Sequence, residues 1–548
     1  MNAFAARLNR MGLWSQAGAA LLSGAIGALA LPPYNFWPAL LVTFSCYVWL
    51  IDGTYTDQRG ARRSIAAALR RAAWIGWWFG FGFFLAGLYW IGYAFLVDAA
   101  HFAWLIPFIA LLLPGGLALF ISASTVLARV FWSAGPGRLL ATALSFVMFE
   151  WLRGHVLTGF PWNLMGYTWA GTLEVLQVTS VIGIYGLSLL TVLAAVTPAA
   201  VWGPCARSAG FSGRCLWSAP AAGALCFCLL WLGGAWRLER SPTVFVDDIS
   251  LRLVQPSVPQ AEKWRPENRR RIFDQYLSLT TGPGFETVTH VIWPETAVPI
   301  ALESSPPTLV EIGQMLGADR VLISGSVRWE RDLVTGENHP FNALHVLRAP
   351  NASNELQNII NATYNKVHLV PFGEYLPMSA FLEWIGVQQL AFGSGSGFAA
   401  GPGLVVLDVP GAPAMAPLIC YEIIFPGAAI ARGTSPGWIV NLTNDAWFGD
   451  TSGPRQHLNM AQVRAIETGV PVIRSANTGI SAIIDSYGRI IKGLALNVPG
   501  VLDGGLPGVA PVTFYRRWGD LPFVGLFLGF AVLGFAMTRR SSLARNSA

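Results

Sequence analysis

Long apolar runs separated by short polar loops fill the first 236 residues of the chain. A helix that crosses the hydrocarbon core of a bilayer needs about 20 predominantly apolar residues. Measured this way, the sequence predicts about eight membrane-spanning helices, one of them close to the C-terminus. The predicted spans are 13–31, 37–51, 72–97, 102–129, 139–151, 175–202, 216–236 and 521–537.

Between residues 237 and 519 the pattern changes to that of a water-soluble α/β domain. Short apolar runs typical of buried strands alternate with segments of helical periodicity, which favours a layered sandwich. The predicted organisation is therefore a transmembrane domain (1–236), a catalytic domain (237–519), and a final helix with its tail (520–548). The predicted strands are 249–258, 290–299, 320–329, 366–372, 414–421, 438–444, 470–476 and 481–490, and the predicted helices are 262–280, 307–316 and 456–469.

Composition agrees with a protein that lies largely in lipid. Of the 548 residues, 53% are hydrophobic and 12% are charged, whereas soluble domains have about 25% charged residues. The net charge of +6 comes almost wholly from arginine, and the arginines gather in alternate loops. Because Lys and Arg stay in cytoplasmic loops, both termini are predicted to be cytoplasmic and the 237–519 domain periplasmic, in the inner membrane of a bacterium. The orienting arginines are Arg7, Arg10, Arg59, Arg62, Arg63, Arg70, Arg71, Arg129, Arg138, Arg207, Arg214, Arg539, Arg540 and Arg545.

The first apolar run has an alternative interpretation as a cleaved signal peptide, because Ala28-Leu29-Ala30 fits the small-residue cleavage pattern. Its length exceeds the usual apolar region of 7–15 residues, which favours a retained helix. Cleavage would leave the predicted orientation of the other spans unchanged.

Several function classes are excluded by motifs that the sequence lacks. No lysine follows the G-x-x-x-x-G-K-[ST] pattern, so no nucleotide motor is predicted. Neither H-E-x-x-H nor a C-x-x-C pair occurs, so no metal site and no other cofactor is predicted. The small basic excess is explained by membrane topology rather than by a nucleic-acid partner.

One cysteine stands apart from the others. Cys420 is the only cysteine of the predicted outer domain and ends an apolar strand pattern, whereas the other five lie in or beside membrane spans. An unpaired thiol in an oxidising compartment is a candidate nucleophile, and it needs a base and an oxyanion donor. Glu295 also ends an apolar run, and Lys366 is one of only three lysines. Each of these two residues alone is equally compatible with a surface charge.

Together the three segments resemble the signatures of the carbon–nitrogen hydrolase (nitrilase) superfamily. They read IWPE (292–295), NKVHLVPFGEY (365–375) and ICYE (419–422). The resemblance covers roughly 249–505 and implies an α-β-β-α sandwich with a catalytic triad of Glu295, Lys366 and Cys420.

The membrane region narrows the resemblance to the apolipoprotein N-acyltransferase family. The segments EWLRG (150–154) and LTGFPWN (157–163) resemble its membrane signature, as does the LPPY turn (31–34). In the outer domain, VQP (254–256) leading to Lys263-Trp264, and NLTNDAWFG (441–449), are also similar.

The resemblance implies transfer of an acyl chain from a phospholipid to the N-terminal amine of a diacylglyceryl-apolipoprotein. In this ping-pong scheme a thioester forms on Cys420, without ATP or metal. Glu374 is implied as a second essential acid, with orientation of Lys366 as its alternative role. Tyr421 and Glu422 are implied to shape the thiol environment, and Trp264, Trp447 and Asn444 to lie near the substrate entrance, where packing in an apolar wall is the alternative for both tryptophans.

Two rival functions remain open at this point. A membrane-tethered amidase of the nitrilase type would resolve the thioester with water, and a scaffold or transporter would need no thiol at all. The segment FLEWIGVQQL (381–390), with the glycine-rich run 392–403, is interpreted either as a lid that dips into the membrane interface or as an ordinary surface loop. The run 392–403 itself is predicted to be mobile. His155, His368 and His457 are interpreted as structural.

Overall fold

The computed structural model of the protein describes residues 2–55, 63–133, 135–202, 213–331, 336, 338–349, 359–377, 384 and 397–546. The chain divides into two compact units. The first comprises Met1–Gly92, Trp104–Ser241 and Phe514–Ala548, and the second comprises Tyr93–Ala103 and Pro242–Thr513. A short segment between two apolar helices thus belongs to the second unit.

The first unit is helical. Its principal helices are α1 (Asn2–Arg10), α2 (Leu13–Gly27), α3 (Pro38–Asp52), α4 (Ile65–Leu88), α5 (Ile106–Val130), α6 (Gly137–His155), α7 (Thr179–Val196), α8 (Gly213–Glu239), α9 (Phe514–Trp518) and α10 (Leu521–Asn546). Among the described residues, five segments are long and apolar enough to cross a membrane. They are Leu13–Ala30, Ile65–Leu96, Ala99–Val130, Thr179–Val201 and Trp217–Glu239, and Pro38–Asp52 and Leu521–Met537 form shorter apolar helices. Five of the eight predicted spans therefore coincide with helices that are long and apolar enough to cross a membrane, and two coincide with the shorter apolar helices.

Glycines bring α2 and α4 together backbone to backbone. A Cβ on Gly24 would lie 2.0 Å from the carbonyl oxygen of Phe79, and one on Gly82 would lie 2.1 Å from that of Leu21. Small residues allow this close approach in apolar bundles, where packing rather than water expulsion drives helix association. A larger side chain at either glycine would force the two helices apart.

A buried acid and a buried base hold the loop that follows α6. Arg153 donates through Nη1 to the carbonyls of Phe160 and Trp162, the latter at 2.8 Å. Glu150 accepts the backbone N–H of Met165 at 3.0 Å. Both side chains are at most 2% exposed, so the EWLRG motif folds the following loop back onto its own helix.

Two six-stranded sheets form the second unit. The first has the order β12-β1-β2-β3-β4-β5 and the second β11-β10-β9-β8-β7-β6. The neighbours β1–β2–β3 and β7–β8–β9 run parallel, and the remaining pairs are antiparallel. The strands are β1 (Phe245–Gln255), β2 (His290–Ile292), β3 (Val321–Arg331), β4 (Asn338–Arg348), β5 (Ile360–Asn365), β6 (Leu407–Val409), β7 (Ala412–Ile419), β8 (Trp438–Thr443), β9 (Val472–Ala476), β10 (Ala482–Ile484), β11 (Ile490–Gly493) and β12 (Gly500–Pro507).

Alternation along the strands separates two cores. Leu253, Ile292 and Ile323 point into a core shared with Ile419 and Leu442 of the second sheet. The intervening residues, such as Val291 and Leu322, instead face the helices Arg269–Thr280 and Pro306–Leu316. Because successive side chains of a strand point to opposite faces, the first sheet is covered on both sides, as one half of a sandwich.

The second sheet is covered by the helix Ser452–Thr468, which contacts β9. Its ends are defined locally. The Thr451 side chain accepts the N–H of Gly453 at the N-terminus, and Gly469 adopts a left-handed conformation (φ 69°) at the C-terminus. The layer order is thus helix, sheet, sheet, helix, in agreement with the α-β-β-α sandwich predicted for this segment.

Candidate active site

The predicted catalytic residues follow the carboxyl ends of strands in the two sheets. Glu295 comes three residues after β2, Lys366 directly follows β5, and Cys420 directly follows β7. Ligand-binding and reactive groups of α/β sheets gather at this edge because parallel strands end there together. The fold therefore brings three distant sequence motifs to one edge of the sandwich.

Cys420 lies at a sharp transition from β7 to the 3₁₀ turn Cys420–Ile424. Its φ of 49° is unusual for a residue with a side chain, and such backbone strain persists at functional sites. The Thr443 hydroxyl donates to Sγ at 3.2 Å. Burial, followed by the negative charge of Glu295, raises the pKa of the Cys420 thiol above its usual value, so the resting thiol keeps its proton at neutral pH and needs a base.

Glu295, Lys366 and Glu374 form a buried charge network. Lys366 Nζ lies 2.8 Å from Glu374 Oε1 and 3.5 Å from Glu295 Oε1. The amide of Asn342 donates to both carboxylates, at 2.8 and 2.9 Å. Burial alone would lower the pKa of Lys366, but Glu374 and Glu295 outweigh it and raise that pKa. Lys366 is therefore a fixed ammonium between two acids.

The position of Glu295 depends on a close approach of backbones. The N–H of Gly325 in β3 donates to the carbonyl of Pro294, and the carbonyl of Gly325 accepts the N–H of Ala297. A Cβ on Gly325 would lie 2.8 Å from Cα of Glu295 and 2.6 Å from N of Thr296. Only glycine fits here, so β3 fixes the turn that presents the Glu295 carboxylate.

Glu422 is fully buried and joins the Lys366 and Cys420 segments. Its Oε1 accepts the Tyr364 hydroxyl at 2.7 Å and the backbone N–H groups of Val367 and His368, and its Oε2 accepts the N–H of Ile419 at 2.7 Å. Burial raises the pKa of the Glu422 carboxyl. The three bonds to Oε1 join the end of β5 to the Cys420 segment, whereas the bond to Ile419 lies within that segment. Tyr421 is buried beside it and packs edge-on against Phe425.

The three residues predicted near the substrate entrance differ in exposure. Trp264 is 38% exposed and Trp447 is half-buried, whereas Asn444 is only 6% exposed. The Asn444 amide donates to Gln260 at 2.8 Å and accepts from Asn477 at 3.0 Å. Its polar atoms are thus engaged within the protein, beside the turn that carries Trp447.

Sequence reasoning gave no role to Lys263, although it noted the Lys263-Trp264 motif. Lys263 is 1% exposed and donates to the backbone carbonyl of Glu295 at 3.1 Å. Burial lowers the pKa of Lys263 to about 8, although the charges of Glu295 and Cys420 act in the opposite direction and raise it. The signal that singled out Lys366, the rarity of lysine in this chain, applied equally to Lys263.

A second polar cluster lies beside Cys420. The sequence predicts only a structural role for His457 of this cluster. His457 Nε2 lies 3.1 Å from the Cys420 carbonyl oxygen, and its Nδ1 lies 2.9 Å from Asp445 Oδ1. Arg474 donates to Asp445 Oδ2 at 2.8 Å. Local sequence gave little indication of this cluster, because 37 residues separate Cys420 from His457.

The donor atoms of Cys420, Asp445 and His457 lie within 4.8 Å of one another, as a metal site would require. Arg474 argues against that use. Its guanidinium bonds to Asp445 and lies 3.1 Å from His457 Nδ1, and it already supplies the buried positive charge. Although burial opposes ionisation, Arg474 and His457 lower the pKa of Asp445. The arrangement fits a buried ion pair between Arg474 and Asp445, with His457 in contact with both, rather than a metal site.

Part of the predicted lid and glycine-rich loop can be located. Residues 381–383, 385–390 and 392–396 lie outside the described residues. In the described part of the glycine-rich run, Phe398 donates its N–H to the Glu374 carbonyl and Gly401 donates to the Lys366 carbonyl, both at 2.8 Å. A Cβ on Gly401 would lie 2.1 Å from the carbonyl oxygen of Asn365, so this glycine allows the loop to lie against the end of β5.

Comparison with known proteins gives the same two regions. Residues 23–197 match the model of the apolipoprotein N-acyltransferase N-terminal domain, and residues 251–507 match that of the carbon-nitrogen hydrolases. The chain is 44% identical to the apolipoprotein N-acyltransferase of Rhodopseudomonas palustris, over 93% of this chain and 92% of the relative. It is 44% identical to that of Bradyrhizobium diazoefficiens (96% and 95% covered) and 43% identical to that of Brucella melitensis biotype 1 (92% of each).

Proposed function

The chain belongs to the family of apolipoprotein N-acyltransferases and N-acylates lipoproteins, and we propose that it does so through a thioester on Cys420. The acyl donor is a membrane phospholipid, and the acceptor is the α-amino group of a diacylglyceryl-cysteine at the lipoprotein N-terminus. The observation that carries this proposal is the convergence of Glu295, Lys366 and Cys420 at one edge of the sandwich.

In the first half-reaction, Glu295 takes the proton of the Cys420 thiol, and the sulfur attacks the ester carbonyl of the phospholipid. The raised pKa of the thiol means that proton transfer and attack are coupled. The oxyanion of the tetrahedral intermediate is stabilised by the Lys366 ammonium and by the backbone N–H of Tyr421. Loss of one oxyanion donor typically costs about 10²–10³ in rate. The intermediate collapses to the Cys420 thioester, and the lysophospholipid leaves with the proton held by Glu295.

In the second half-reaction, the lipoprotein amine loses a proton to Glu295 and attacks the thioester carbonyl. The same two donors stabilise the second oxyanion, and the thiol leaves as the amide forms. Glu374 holds Lys366 in place through the 2.8 Å ion pair, which supports a positioning role for this second acid. No step requires ATP or a metal ion.

The surrounding residues support entry of a lipid chain. We propose that the partly exposed indoles of Trp264 and Trp447 line the apolar entrance, where large amphipathic rings suit an interface. Because the Asn444 amide bonds to Gln260 and Asn477, Asn444 acts by fixing the turn that carries Trp447. Tyr421 and Glu422 keep the peptide around the thiol in one conformation.

Attachment to a bilayer has a physical reason. Moving an acyl chain of about 16 carbons into water costs about 0.8 kcal/mol per CH₂, or roughly 12 kcal/mol. A site held at the membrane surface avoids this cost with both lipid-bearing substrates. We propose eight membrane spans in a bacterial inner membrane, with cytoplasmic termini. The transmembrane domain is then 1–236, the catalytic domain 237–519 is periplasmic, and 520–548 is the last span with its tail, as the alternating arginine-rich loops favour.

The test is intact mass spectrometry of the purified full-length protein, incubated with phospholipid and no acceptor. We expect an added fatty-acyl mass that neutral hydroxylamine removes and that the Cys420→Ala variant lacks. Absence of the adduct together with steady release of free fatty acid would instead support a membrane-tethered amidase or hydrolase. Absence of both, with Cys420→Ala indistinguishable from wild type, would support a scaffold or transporter.

A further inference from the structure

The peptide group between Cys420 and Tyr421 is held on its carbonyl side by two side chains. His457 Nε2 lies 3.1 Å from the Cys420 carbonyl oxygen, and Asn441 Nδ2 lies 3.5 Å from it. Because a carbonyl oxygen can only accept, both nitrogens donate to it. His457 comes from the helix Ser452–Thr468 and Asn441 from β8, so two separate elements converge on one backbone oxygen.

A single guanidinium orients both of these donors. Arg474 of β9 donates through Nη1 to Asn441 Oδ1, which turns the Asn441 Nδ2 group towards Cys420. Through Nη2 it donates to Asp445 Oδ2 at 2.8 Å and to His457 Nδ1 at 3.1 Å, which leaves the proton of the neutral His457 ring on Nε2, facing the Cys420 carbonyl. Asp445 Oδ1 lies 2.9 Å from the same Nδ1. The rigid fork of arginine suits such a two-sided role better than a lysine would.

All of the residues in this network are strongly buried. Asn441 and Arg474 are fully buried, Asp445 is 1% exposed, and His457 is 3% exposed. Hydrogen bonds between polar groups are stronger in such a low-dielectric interior than in water, so each bond restrains its partners. The charges of this network are distinct from those around Lys366, and His457 contacts Asp445, Arg474 and the Cys420 backbone. Asp445 also acts on the thiol at a distance, because its negative charge raises the pKa of Cys420.

The planarity of the peptide group links the direction of its carbonyl to the direction of its N–H. A trans peptide is planar, and its C=O and N–H groups point in opposite directions. The carbonyl of Cys420 and the N–H of Tyr421 belong to the same peptide. Fixing the carbonyl against His457 and Asn441 therefore fixes the direction of the Tyr421 N–H.

We propose that Arg474, Asp445 and His457 are positioning residues that aim the Tyr421 N–H at the oxyanion of acyl transfer. This inference rests on the proposed function, in which that N–H is one of two oxyanion donors. It assigns to His457 a role in stabilising the tetrahedral intermediate, separate from the electrostatic effect of Asp445 on the thiol. Cys420 at φ 49° could otherwise relax towards a commoner backbone conformation and turn the N–H away.

The test compares two reactions of the same thiol in the full-length enzyme. Acylation by phospholipid passes through a tetrahedral oxyanion, whereas alkylation by iodoacetamide displaces iodide and forms none. We expect His457→Leu to slow single-turnover acylation by about 100-fold or more, the usual effect of losing an oxyanion donor. Alkylation, followed on the peptide that contains Cys420, should change less than about threefold, because His457→Leu retains Glu295, Lys366 and Asp445, the charges that act on the thiol.

His290→Leu is the matched control. His290 is also a buried histidine of the sandwich whose Nε2 bonds to a backbone carbonyl, that of Pro410 at 3.0 Å. It should leave the ratio of acylation to alkylation unchanged, although it removes a comparable bond. If His457→Leu does not yield folded protein, Arg474→Lys provides the same comparison, with about a tenfold fall in acylation because lysine cannot bond to Asn441 and Asp445 together.

Two results would overturn the inference while leaving the proposed function intact. One is an equal fall of acylation and alkylation in His457→Leu or Arg474→Lys, which would mean general damage to the thiol environment. The other is unchanged acylation. Failure of the proposed function itself looks different, because the wild-type enzyme would then form no hydroxylamine-sensitive adduct at all, and the inference would fall with it.

Discussion

The protein buries an acid and a base in each of its two units and uses them differently. In the helical unit, Glu150 and Arg153 bond to backbone groups of the loop that follows them. In the sandwich, Glu295 and Lys366 face each other, with Glu374 and the Cys420 thiol in the same electrostatic environment. Backbone amides do not act as general acids or bases at neutral pH, whereas carboxylates and thiols can. Burial of charge therefore holds a loop in one unit and forms the proposed catalytic site in the other, and the bonding partners of each charge account for the difference.

The largest expected effect is that of Lys366→Met, which removes the ammonium between two carboxylates. We expect acylation of Cys420 to fall by about 10³-fold, which corresponds to about 4 kcal/mol in the barrier. Single-turnover acylation followed by intact mass measures it. Lys492→Met is the matched control, since that lysine is exposed and donates to the backbone carbonyl of Asp503 at 2.8 Å. Acylation within tenfold of wild type in Lys366→Met would remove Lys366 from the proposed mechanism.

Glu374→Gln should have a smaller effect, about 100-fold, because the amide keeps an oxygen for Asn342 but loses the ion pair with Lys366. Hydrogen bonds to charged groups contribute about 1.5–3 kcal/mol. The same acylation assay measures this effect. The control is Glu303→Gln, which breaks a partly exposed ion pair with Arg328 and should leave the rate unchanged. A loss as large as that of Lys366→Met would indicate that Glu374 acts directly rather than by positioning.

Lys263→Met tests the second buried lysine, and we expect about a tenfold fall in acylation at pH 7. The pKa of Lys263 is about 8, so its positive charge beside Glu295 and Cys420 is present below pH 8 and lost above it. The acylation rate of the wild-type enzyme should therefore fall as the pH rises through about 8, and the variant should lack this fall. A pH profile from 6.5 to 9.5 measures both. The same alkaline fall in Lys263→Met would contradict the assignment.

The smallest catalytic effect is expected from Glu150→Gln in the helical unit. The variant loses a charged acceptor for the Met165 N–H, so the thermal midpoint should drop. Acylation per folded molecule should stay within about threefold of wild type, because Glu150 takes no part in the proposed chemistry. Thermal unfolding and acylation are measured on the same preparation. A normal midpoint with acylation slowed by tenfold or more would break the distinction between the two buried pairs.

Much of the fold followed from local pattern. Hydropathy located the apolar helices, because a bilayer imposes a length that a single sequence records. A short continuous apolar run located β7, predicted as 414–421 and found at Ala412–Ile419. The strand predicted at 290–299 is shorter, His290–Ile292, since Pro294 cannot donate to a ladder. The run 366–372 is not a strand, because β5 ends at Asn365 and Lys366 begins the turn that holds the ammonium.

The candidate site was only partly accessible to the same reasoning. Glu295, Lys366 and Cys420 carry recognisable motifs, so their proximity could be expected. Asn342, which bridges the two carboxylates, lies within a strand and carries no local signal. Arg474 and His457 were likewise missed, because a buried arginine and a helical histidine are ordinary residues until their partners are known.

The sequence by itself determined the division of the chain into apolar helices and a sandwich, and the kind of chemistry that the sandwich offers. The division depends on periodicity and residue type, which are local properties, and the chemistry was implied by short motifs that resemble those of a known family. Only the tertiary structure decided which charges face each other, which lysine has its pKa raised and which has it lowered, and which peptide is fixed beside the thiol. Those outcomes depend on distance and burial, and both arise when β2, β5, β7, β8 and β9 end at one edge of the fold.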